Sequence, residues 1–156
     1  MKYTNNDLAK NSKITLREVT EETVRTICNL NVHEKQNKFV ANNAVSIAQA
    51  YFSKNAWFRA IYGEDIPIGF LMLYDDPEKP EYYLWRFMID KKYQKMGFGK
   101  AAMYLLIEHV KKRPNAHELF TSVVQEPGGP QGFYEKIGFK LNGKYEEGEA
   151  VMVMRL

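Results

Sequence analysis

The chain has a single cysteine and no long apolar run. These two features argue against a disulfide-stabilised protein and against a membrane-spanning one. Cys28 is the only cysteine among 156 residues, so no intramolecular disulfide can form, and its place in an apolar helical pattern predicts a core residue. No apolar segment is long enough for a membrane helix or a signal peptide, so we expect a cytoplasmic protein with no membrane partner. No repeat, linker or low-complexity segment interrupts the sequence. One domain is therefore predicted over residues 1–156, with a loose, polar segment at 1–12.

A large surplus of one charge is also missing. Lys and Arg together number 22 and Asp and Glu 19, which gives a net charge of +3, and no basic block dominates one segment. This balance is too mild to predict a nucleic-acid partner. His109 and His117 have no metal-ligand partner at a useful spacing, so both are predicted to be structural and no metal is expected. Apolar residues make up 45% of the chain, which is enough for a globular core.

Hydrophobic alternation and helical periodicity predict the element order β-α-α-β-β-β-α-β-α-β-β. The strands are predicted at residues 14–19, 56–62, 66–74, 81–90, 118–124, 139–144 and 149–154. The helices are predicted from Thr20, near 44–52, over 101–112 and after Pro130. Because a helix joins the strand at 81–90 to the strand at 118–124, these two strands should run parallel. The strands at 56–62 and 66–74 should form a hairpin.

The most informative stretch is the turn Gln94-Lys95-Met96-Gly97-Phe98-Gly99, which lies between a buried strand and an amphipathic helix. Its glycines let a ligand approach the backbone closely, and the helix N-terminus offers unpaired N–H groups and a partial positive charge. Together these features form an anion cradle suited to a phosphate or pyrophosphate, and Lys95 and Lys100 add positive charge. Many such turns bind nothing, so the glycine spacing alone is a weak signal.

Two motifs together indicate a family. The pattern Gln-x-x-Gly-x-Gly, after a strand and before a helix, resembles the acetyl-CoA pyrophosphate loop of the GNAT superfamily of N-acetyltransferases. Residues 132–139, Gly-Phe-Tyr-Glu-Lys-Ile-Gly-Phe, resemble the second motif of that family, in the same order and at about the usual separation. The resemblance extends from Ile14 to the C-terminus. A dinucleotide-binding Rossmann unit fits less well, because it requires Gly-x-Gly-x-x-Gly early in the chain and an acidic residue after the next strand.

The resemblance implies a fold and a cosubstrate. The fold would be α/β (α+β), with a central mixed, mostly antiparallel twisted sheet, a parallel strand pair that splays apart at the acetyl-CoA site, and about four flanking helices. The pantetheine arm of acetyl-CoA would lie along the backbone of Phe87, Met88 and Ile89. The pyrophosphate would lie in the cradle formed by Gln94, Lys95, Met96, Gly97, Phe98, Gly99 and Lys100. Some relatives carry an Asn after the fifth strand that contacts pantetheine; residues 125–129 contain none, so a backbone group must make that contact or it is absent.

The same resemblance implies catalytic residues for acetyl transfer. Tyr134 falls where many members place the general acid, and a phenol of pKa about 10 can protonate a departing thiolate. The alternative is that Tyr134 is a packing aromatic beside Phe133. The base that deprotonates the amine is less well indicated. Glu81 and Glu34 are the candidates, with His33 beside Glu34, and water serves in many relatives.

The acceptor is predicted from a narrower resemblance. Residues 84–90, 93–94, 139–143 and 150–154 look like bacterial spermine/spermidine (diamine) N-acetyltransferases. A polyamine site needs carboxylates and aromatic faces. The candidate carboxylates are Glu34, Asp75, Asp76, Glu78 and Glu81, and the candidate aromatic residues are Tyr74, Tyr82 and Trp85.

Three hypotheses stay open at this point. The first is a polyamine acetyltransferase that works by direct attack in a ternary complex. The second is a GNAT enzyme for another acceptor, such as an aminoglycoside, an amino acid or a protein amine. The third is a non-catalytic module that binds acyl-CoA. Analogy with relatives also suggests a homodimer, with the closing strands as interface.

Overall fold

The structure of the protein is a computed structural model that describes residues 8–156. The predicted loose segment at 1–12 therefore lies partly outside the described residues. Within that segment Leu8 is buried in the larger of two hydrophobic clusters, and the backbone N–H of Ser12 donates to the carbonyl of Ala9 at 2.9 Å. Burial of the apolar Leu8 side chain stabilises the folded chain at this point.

The elements follow the predicted order. The strands are Ile14–Arg17 (β1), Ala56–Gly63 (β2), Ile66–Asp76 (β3), Glu81–Ile89 (β4), Glu118–Val123 (β5), Lys140–Glu146 (β6) and Glu149–Arg155 (β7). The helices are Val24–Cys28 (α1), Asn43–Tyr51 (α2), Phe98–Lys111 (α3) and Gln131–Ile137 (α4). Short 3-10 turns lie at Glu34–Gln36 and Lys91–Tyr93.

The first helix is shorter than predicted. Thr23 rather than Thr20 is its N-cap residue, because the carbonyl of Thr20 accepts from the N–H groups of Thr23 and Val24, at 3.1 and 2.8 Å, in a preceding turn. Cys28 ends this five-residue helix and is only partly buried, so its predicted place in the core is wrong. Ile27 occupies the core instead.

One sheet contains the seven strands in the order β1-β2-β3-β4-β5-β7-β6. Its neighbouring strands are antiparallel except for β4 and β5, which run parallel as predicted from the helix that joins them. A mixed, mostly antiparallel sheet flanked by helices confirms the predicted fold class.

Helices cover both faces of the sheet, so alternate strand residues enter different hydrophobic clusters. In β3, Leu71 and Leu73 belong to the cluster that includes α3 and α4, on what we name the α3 face. Phe70 and Met72 belong to the smaller cluster, on the α1–α2 face. The predicted apolar side of α3 is confirmed, because its buried residues include Met103, Leu106, Ile107 and Val110.

The parallel pairing is short, and this shortness opens the sheet. Among the described residues, β4 and β5 share two residue pairs, Tyr83–Phe120 and Leu84–Thr121. The Thr121 hydroxyl donates to the Leu84 carbonyl at 3.1 Å. Trp85 is an extra residue opposite β3, where the register shifts. Such a bulge bends its strand, so β4 turns away from β5 and continues to Ile89 without a partner on that side.

His109 of α3 packs flat against Trp57 of β2, with ring centroids 4.0 Å apart and planes 12° apart. The guanidinium of Arg59 lies 4.3 Å from the centroid of the same Trp57 ring. The His109 Nε2 atom is buried and has no hydrogen-bond partner among the described residues. These contacts agree with the structural role predicted for His109.

His109 should make stability depend on pH. Burial lowers its pKa, with charged neighbours that act in both directions: Asp75 raises the pKa, and Arg113, Arg59 and Lys112 lower it. In the unfolded chain His109 binds a proton near pH 6.5, whereas in the folded protein it binds one only at a lower pH. We therefore expect His109 to cost no stability above about pH 6.5. Below that pH the free energy of unfolding should fall as the pH approaches the folded pKa of His109.

Urea unfolding of the wild type and of His109→Phe between pH 7.5 and 5 measures this effect. Phenylalanine keeps the ring stack and removes the titration, so the variant should lose less stability over this range. Equal losses in the two proteins would contradict the expectation.

Candidate active site

An open cleft of about 1580 Å³ lies where β4 and β5 diverge. Most residues of β4 form one wall, and the end of β5 with the start of α4 forms the other. The loop between α1 and α2 and the turn between β6 and β7 complete the lining. Residues of both sequence motifs, 94–99 and 132–139, therefore contribute to the lining of one cleft.

The predicted pantetheine residues lie along this cleft. Phe87, Met88 and Ile89 all line it, on the part of β4 that has no β5 partner. The Phe87 ring stacks on Phe133 of α4 at 5.6 Å, and the Met88 sulfur lies 3.6 Å from the Asn43 side-chain amide. Neighbouring helices thus hold this strand segment while its backbone edge stays open.

The predicted cradle has the backbone of an anion site. Lys95 and Gly97 have positive φ values of 62° and 85°, so the chain turns sharply before α3 begins at Phe98. Gly97 is the N-cap residue and offers no side-chain hydrogen bond, and the first helical bond runs from the Ala101 N–H to the Gly97 carbonyl. The N–H groups of the first turn are therefore left for solvent or an anion.

The cradle residues divide by what their side chains do. Gln94, Lys95 and Gly99 line the cleft. Phe98 is buried in the core and Met96 packs against it, so both anchor the turn. The Lys100 ammonium lies 5.8 Å from the Tyr104 ring centroid.

Gln94 connects the cradle to the loop between α1 and α2. Its amide nitrogen donates to the Ile89 carbonyl and to Gln36 Oε1, each at 2.9 Å. The Gln36 amide donates back to Gln94 Oε1 at 3.2 Å. The Gln94 side chain is thus occupied in holding two loops together, a role that the sequence did not predict. Fifty-eight residues separate the partners, so no local pattern indicates the contact.

Tyr134 lines the cleft from α4 and is only 6% exposed. Its ring meets Phe133 and Phe139 edge-on, with centroids 5.3 and 5.5 Å away. Burial raises the pKa of Tyr134, a hydrogen bond with Thr121 lowers it, and the negative charge of Glu149 raises it. A phenol is protonated at neutral pH even at its ordinary pKa of about 10, so the Tyr134 hydroxyl carries the proton that a donor requires. The same aromatic contacts fit the packing alternative.

The two predicted bases differ in position. Glu81, at the start of β4, lines the cleft and is exposed. Glu34 and its neighbour His33 are exposed at the 3-10 turn and are not among the lining residues of the cleft.

Two of the carboxylates predicted to bind the acceptor make structural contacts instead. Asp75 is 9% exposed and pairs with Arg113, whose Nε lies 2.9 Å from its carboxylate. Asp76 accepts from the backbone N–H groups of Glu78 and Lys79 at 3.1 and 3.2 Å, which closes the turn after β3. None of the predicted trio of Asp75, Asp76 and Glu78 lines the cleft, so their predicted role as acceptor carboxylates is not supported.

Among the predicted aromatic residues, Tyr74 and Trp85 line the cleft. Tyr82 lies in the cluster on the α3 face and donates its hydroxyl to the Pro114 carbonyl, so its predicted place at the acceptor is wrong. The alternation along β4 points Tyr82 away from the α1–α2 face.

A group of carboxylates at the β6–β7 turn was not predicted from the sequence. Glu146, Glu147 and Glu149 all line the cleft. Glu149 accepts a hydrogen bond from the Ser122 hydroxyl at 2.9 Å. Residues 146–149, Glu-Glu-Gly-Glu, could have indicated this group, but acidic residues at a hairpin turn are equally typical of a solvent-exposed surface. Together with Glu81, at the start of β4, these residues make part of the lining acidic.

Arg86 places a cation close to Glu149 in the same lining. Arg86 of β4 is partly buried, and its guanidinium donates to the Trp85 carbonyl at 3.0 Å and to Gln49 Oε1 at 2.9 Å. Its Nε atom is buried and has no partner within residues 8–156. Burial lowers the pKa of Arg86, and the charge of Glu149 raises it.

Residues 8–156 contain no group of three or more His, Cys, Asp or Glu side chains arranged to hold a metal ion. None of their helices has the length and apolar character needed to cross a membrane.

Comparison with known proteins gives a family match. The model of the "Acetyltransferase (GNAT) family" matches residues 21–139. A probable spermine N(1)-acetyltransferase of Bacillus subtilis subsp. natto (strain BEST195) is 29% identical over 150 residues, with 92% of this chain and 99% of the relative covered. The spermine/spermidine N(1)-acetyltransferase of Bacillus subtilis (strain 168) is 28% identical with the same coverage, 92% and 99%. A 5-NmdU N-acetyltransferase of Pseudomonas phage PaMx11 is 22% identical, with 91% and 98% covered.

A solved structure with a similar fold is the PaiA N-acetyltransferase from Thermoplasma acidophilum in complex with coenzyme A. It superposes with a TM-score of 0.69 at 16% identity and covers 92% of this chain and 99% of its own. At this identity the likeness concerns the fold.

Gly97→Ala should weaken the binding of acetyl-CoA, the ligand that the resemblance implies. Alanine disfavours the left-handed backbone by about 1–2 kcal/mol, so the free turn relaxes and the pyrophosphate must restore it. We expect the Kd, measured by isothermal titration calorimetry, to rise about fivefold to thirtyfold.

Gly143→Ala is the matched control. Gly143 has a φ of 81°, no atom within 4 Å of an added Cβ, and no place in the cleft lining. It should lower stability and leave the Kd unchanged. A wild-type Kd in Gly97→Ala would argue against the cradle.

Proposed function

This chain belongs to the acetyltransferase (GNAT) family, and we propose that it transfers the acetyl group of acetyl-CoA to a primary amine, with a polyamine as the acceptor. The reaction is direct attack in a ternary complex. The observation that carries this proposal is one cleft that is lined both by the anion cradle with Lys95 and by several glutamates. Such a cleft suits an anionic cosubstrate and a cationic acceptor.

The cosubstrate would occupy the gap between β4 and β5. The cradle would hold the pyrophosphate with backbone N–H groups and lysine charge, and the open edge at Phe87, Met88 and Ile89 would pair with the pantetheine amides. Residues 125–129 contain no Asn, so backbone groups of that loop would make any contact on the other side.

The acceptor would occupy the acidic part of the cleft. Glu81, Glu146, Glu147 and Glu149 would attract ammonium groups, and the aromatic faces of Tyr74, Tyr83 and Trp85 would receive the aliphatic chain and its charge. The names of the Bacillus subtilis relatives support a polyamine.

The chemistry assigns a role to Tyr134. The amine attacks the thioester carbonyl carbon, and the thiolate that leaves needs a proton. We propose that the Tyr134 hydroxyl supplies this proton from α4, because it lines the cleft and stays protonated.

Arg86 favours a second candidate acceptor. A guanidinium with a free, buried Nε could bind a carboxylate or phosphate, as in an amino acid that carries its amine nearby. The phage relative shows by its name that a similar chain can be assigned another acceptor.

The proposal also includes a single cytoplasmic domain that acts as a homodimer. One continuous sheet supports the single domain, and acetyl-CoA as cosubstrate supports the cytoplasm. The exposed strand β6, which carries Leu141 and Tyr145 on the surface, supports a dimer contact at that edge.

A thiol-release assay with acetyl-CoA tests the acceptor. The amines should include spermidine, spermine, putrescine, lysine, an aminoglycoside and a basic peptide. We expect selective release with polyamines, because their slim aliphatic chains bring several ammonium groups to the carboxylates and also fit the aromatic faces. Release with lysine alone would favour the Arg86 candidate. Tight binding of acetyl-CoA without release by any amine would favour a non-catalytic module.

Tyr134→Phe tests the proposed acid. The change removes one hydroxyl and keeps the ring contacts, so kcat should fall about 100-fold or more while the Kd of acetyl-CoA stays the same. Tyr51→Phe is the control, because Tyr51 is 85% exposed and outside the cleft lining. An unchanged kcat in Tyr134→Phe would return Tyr134 to a packing role.

A further inference from the structure

The proposed reaction lacks a well-placed base. An alkylammonium has a pKa of about 10.4, so only about one amine in 2,500 is neutral at pH 7. Glu34 does not line the cleft, and Glu81 is exposed at the start of β4. A carboxylate that was not predicted occupies a better position.

Glu149 is held where the parallel pair opens. It is the first residue of β7, is partly buried, and accepts the Ser122 hydroxyl bond at 2.9 Å. Ser122 directly follows Thr121, the last β5 residue paired with β4. A fixed carboxylate at this point borders the gap in which the thioester would lie.

Thr121 and Ser122 point to opposite faces of the sheet because they are consecutive strand residues. The buried Thr121 lies on the α3 face and lowers the pKa of Tyr134. Ser122 contacts Glu149 from the α1–α2 face. The proposed acid and Glu149 therefore flank the gap from opposite sides of β5.

The charge of Glu149 reaches across this gap. It raises the pKa of Tyr134, and also the pKa values of Tyr83 and Arg86. All four residues line the same cleft. A base and an acid that line one cleft can act on the same carbonyl carbon.

We propose that Glu149 is the general base for the acceptor amine, an inference that rests on the proposed function. The Glu149 carboxylate first takes a proton from the acceptor ammonium and passes it to solvent, which leaves a neutral amine. The nitrogen lone pair then forms the new C–N bond, and the proton that this nitrogen loses goes to Glu149. The C–S bond breaks, its electron pair goes to sulfur, and Tyr134 protonates the sulfur. The products are the N-acetyl amine and the free thiol of coenzyme A. The proton on Glu149 then restores Tyr134 through solvent, and an acceptor that arrives as an ammonium releases one further proton.

Charged and titratable groups surround this carboxylate on several elements. Those that act on it or line the same cleft beside it are Tyr83, Arg86, Tyr134, Glu146 and Glu147. Glu146 is its partner across the β6–β7 hairpin, so a second ammonium of a polyamine has a carboxylate beside the base.

Glu149→Gln tests the proposal, since it keeps the shape and the Ser122 bond and removes the base. With the acceptor that turns over best in the wild type, kcat at pH 7 should fall about 100-fold to 1,000-fold. The Kd of acetyl-CoA should not change. The deficit should shrink as pH rises toward 10, because more of the amine then arrives neutral.

Two further variants separate a base from a simple attractive charge. Glu147→Gln removes a charge from the same turn and should raise the acceptor KM more than it lowers kcat. Ser122→Ala frees the carboxylate and should lower kcat about fivefold to tenfold, whereas Ser122→Thr keeps the hydroxyl and should restore it. Glu118→Gln, on an exposed β5 position outside the cleft lining, is the control for loss of one charge.

The outcomes distinguish the two proposals. An active wild type with an unchanged kcat in Glu149→Gln, or with only a raised KM and no recovery at high pH, overturns the role of Glu149 and leaves the acetyltransferase intact. A wild type that binds acetyl-CoA and acetylates no amine overturns the proposed function itself.

Discussion

The brief contact between β4 and β5 is the constraint on which the rest of the site depends. Two residue pairs hold the strands together, with the Thr121 hydroxyl bound to the Leu84 carbonyl at 3.1 Å beside the last of them. Beyond this point the Trp85 bulge bends β4 away. An unpaired strand edge is normally a liability in a sheet. Here it faces a cleft, where a cosubstrate with amide groups can complete the hydrogen bonding.

Local sequence patterns predicted the parts of the site that depend on backbone. The glycine turn before α3 and the strand at Phe87, Met88 and Ile89 are continuous segments, so their conformation follows from neighbouring residues. The helix that joins β4 and β5 dictated the parallel pairing. Residues of both segments line the cleft, and the family match extends over most of the chain. Their roles in binding acetyl-CoA follow from the family resemblance and remain predictions.

Side-chain partnerships were harder to predict because they join distant residues. Asp75 looked like a free loop carboxylate, but Arg113, 38 residues later, neutralises it. Ser122 and Glu149 lie 27 residues apart, and only the register of β5 against β7 brings them together. Composition shows that such charges exist, but it does not show which of them find partners.

The register of β5 decides which side of the sheet Thr121 and Ser122 face, and therefore which site residues they lie near. Because a strand has a side-chain period of two, a slip of one residue would exchange the faces of these side chains. Thr121 would then leave Tyr134, and Ser122 would leave Glu149. Six residue pairs between β5 and β7 fix the alignment, against two between β5 and β4. An insertion of one residue within β5 should therefore be tolerated much less than one in the loop at residues 112–117, even where the core could accommodate both.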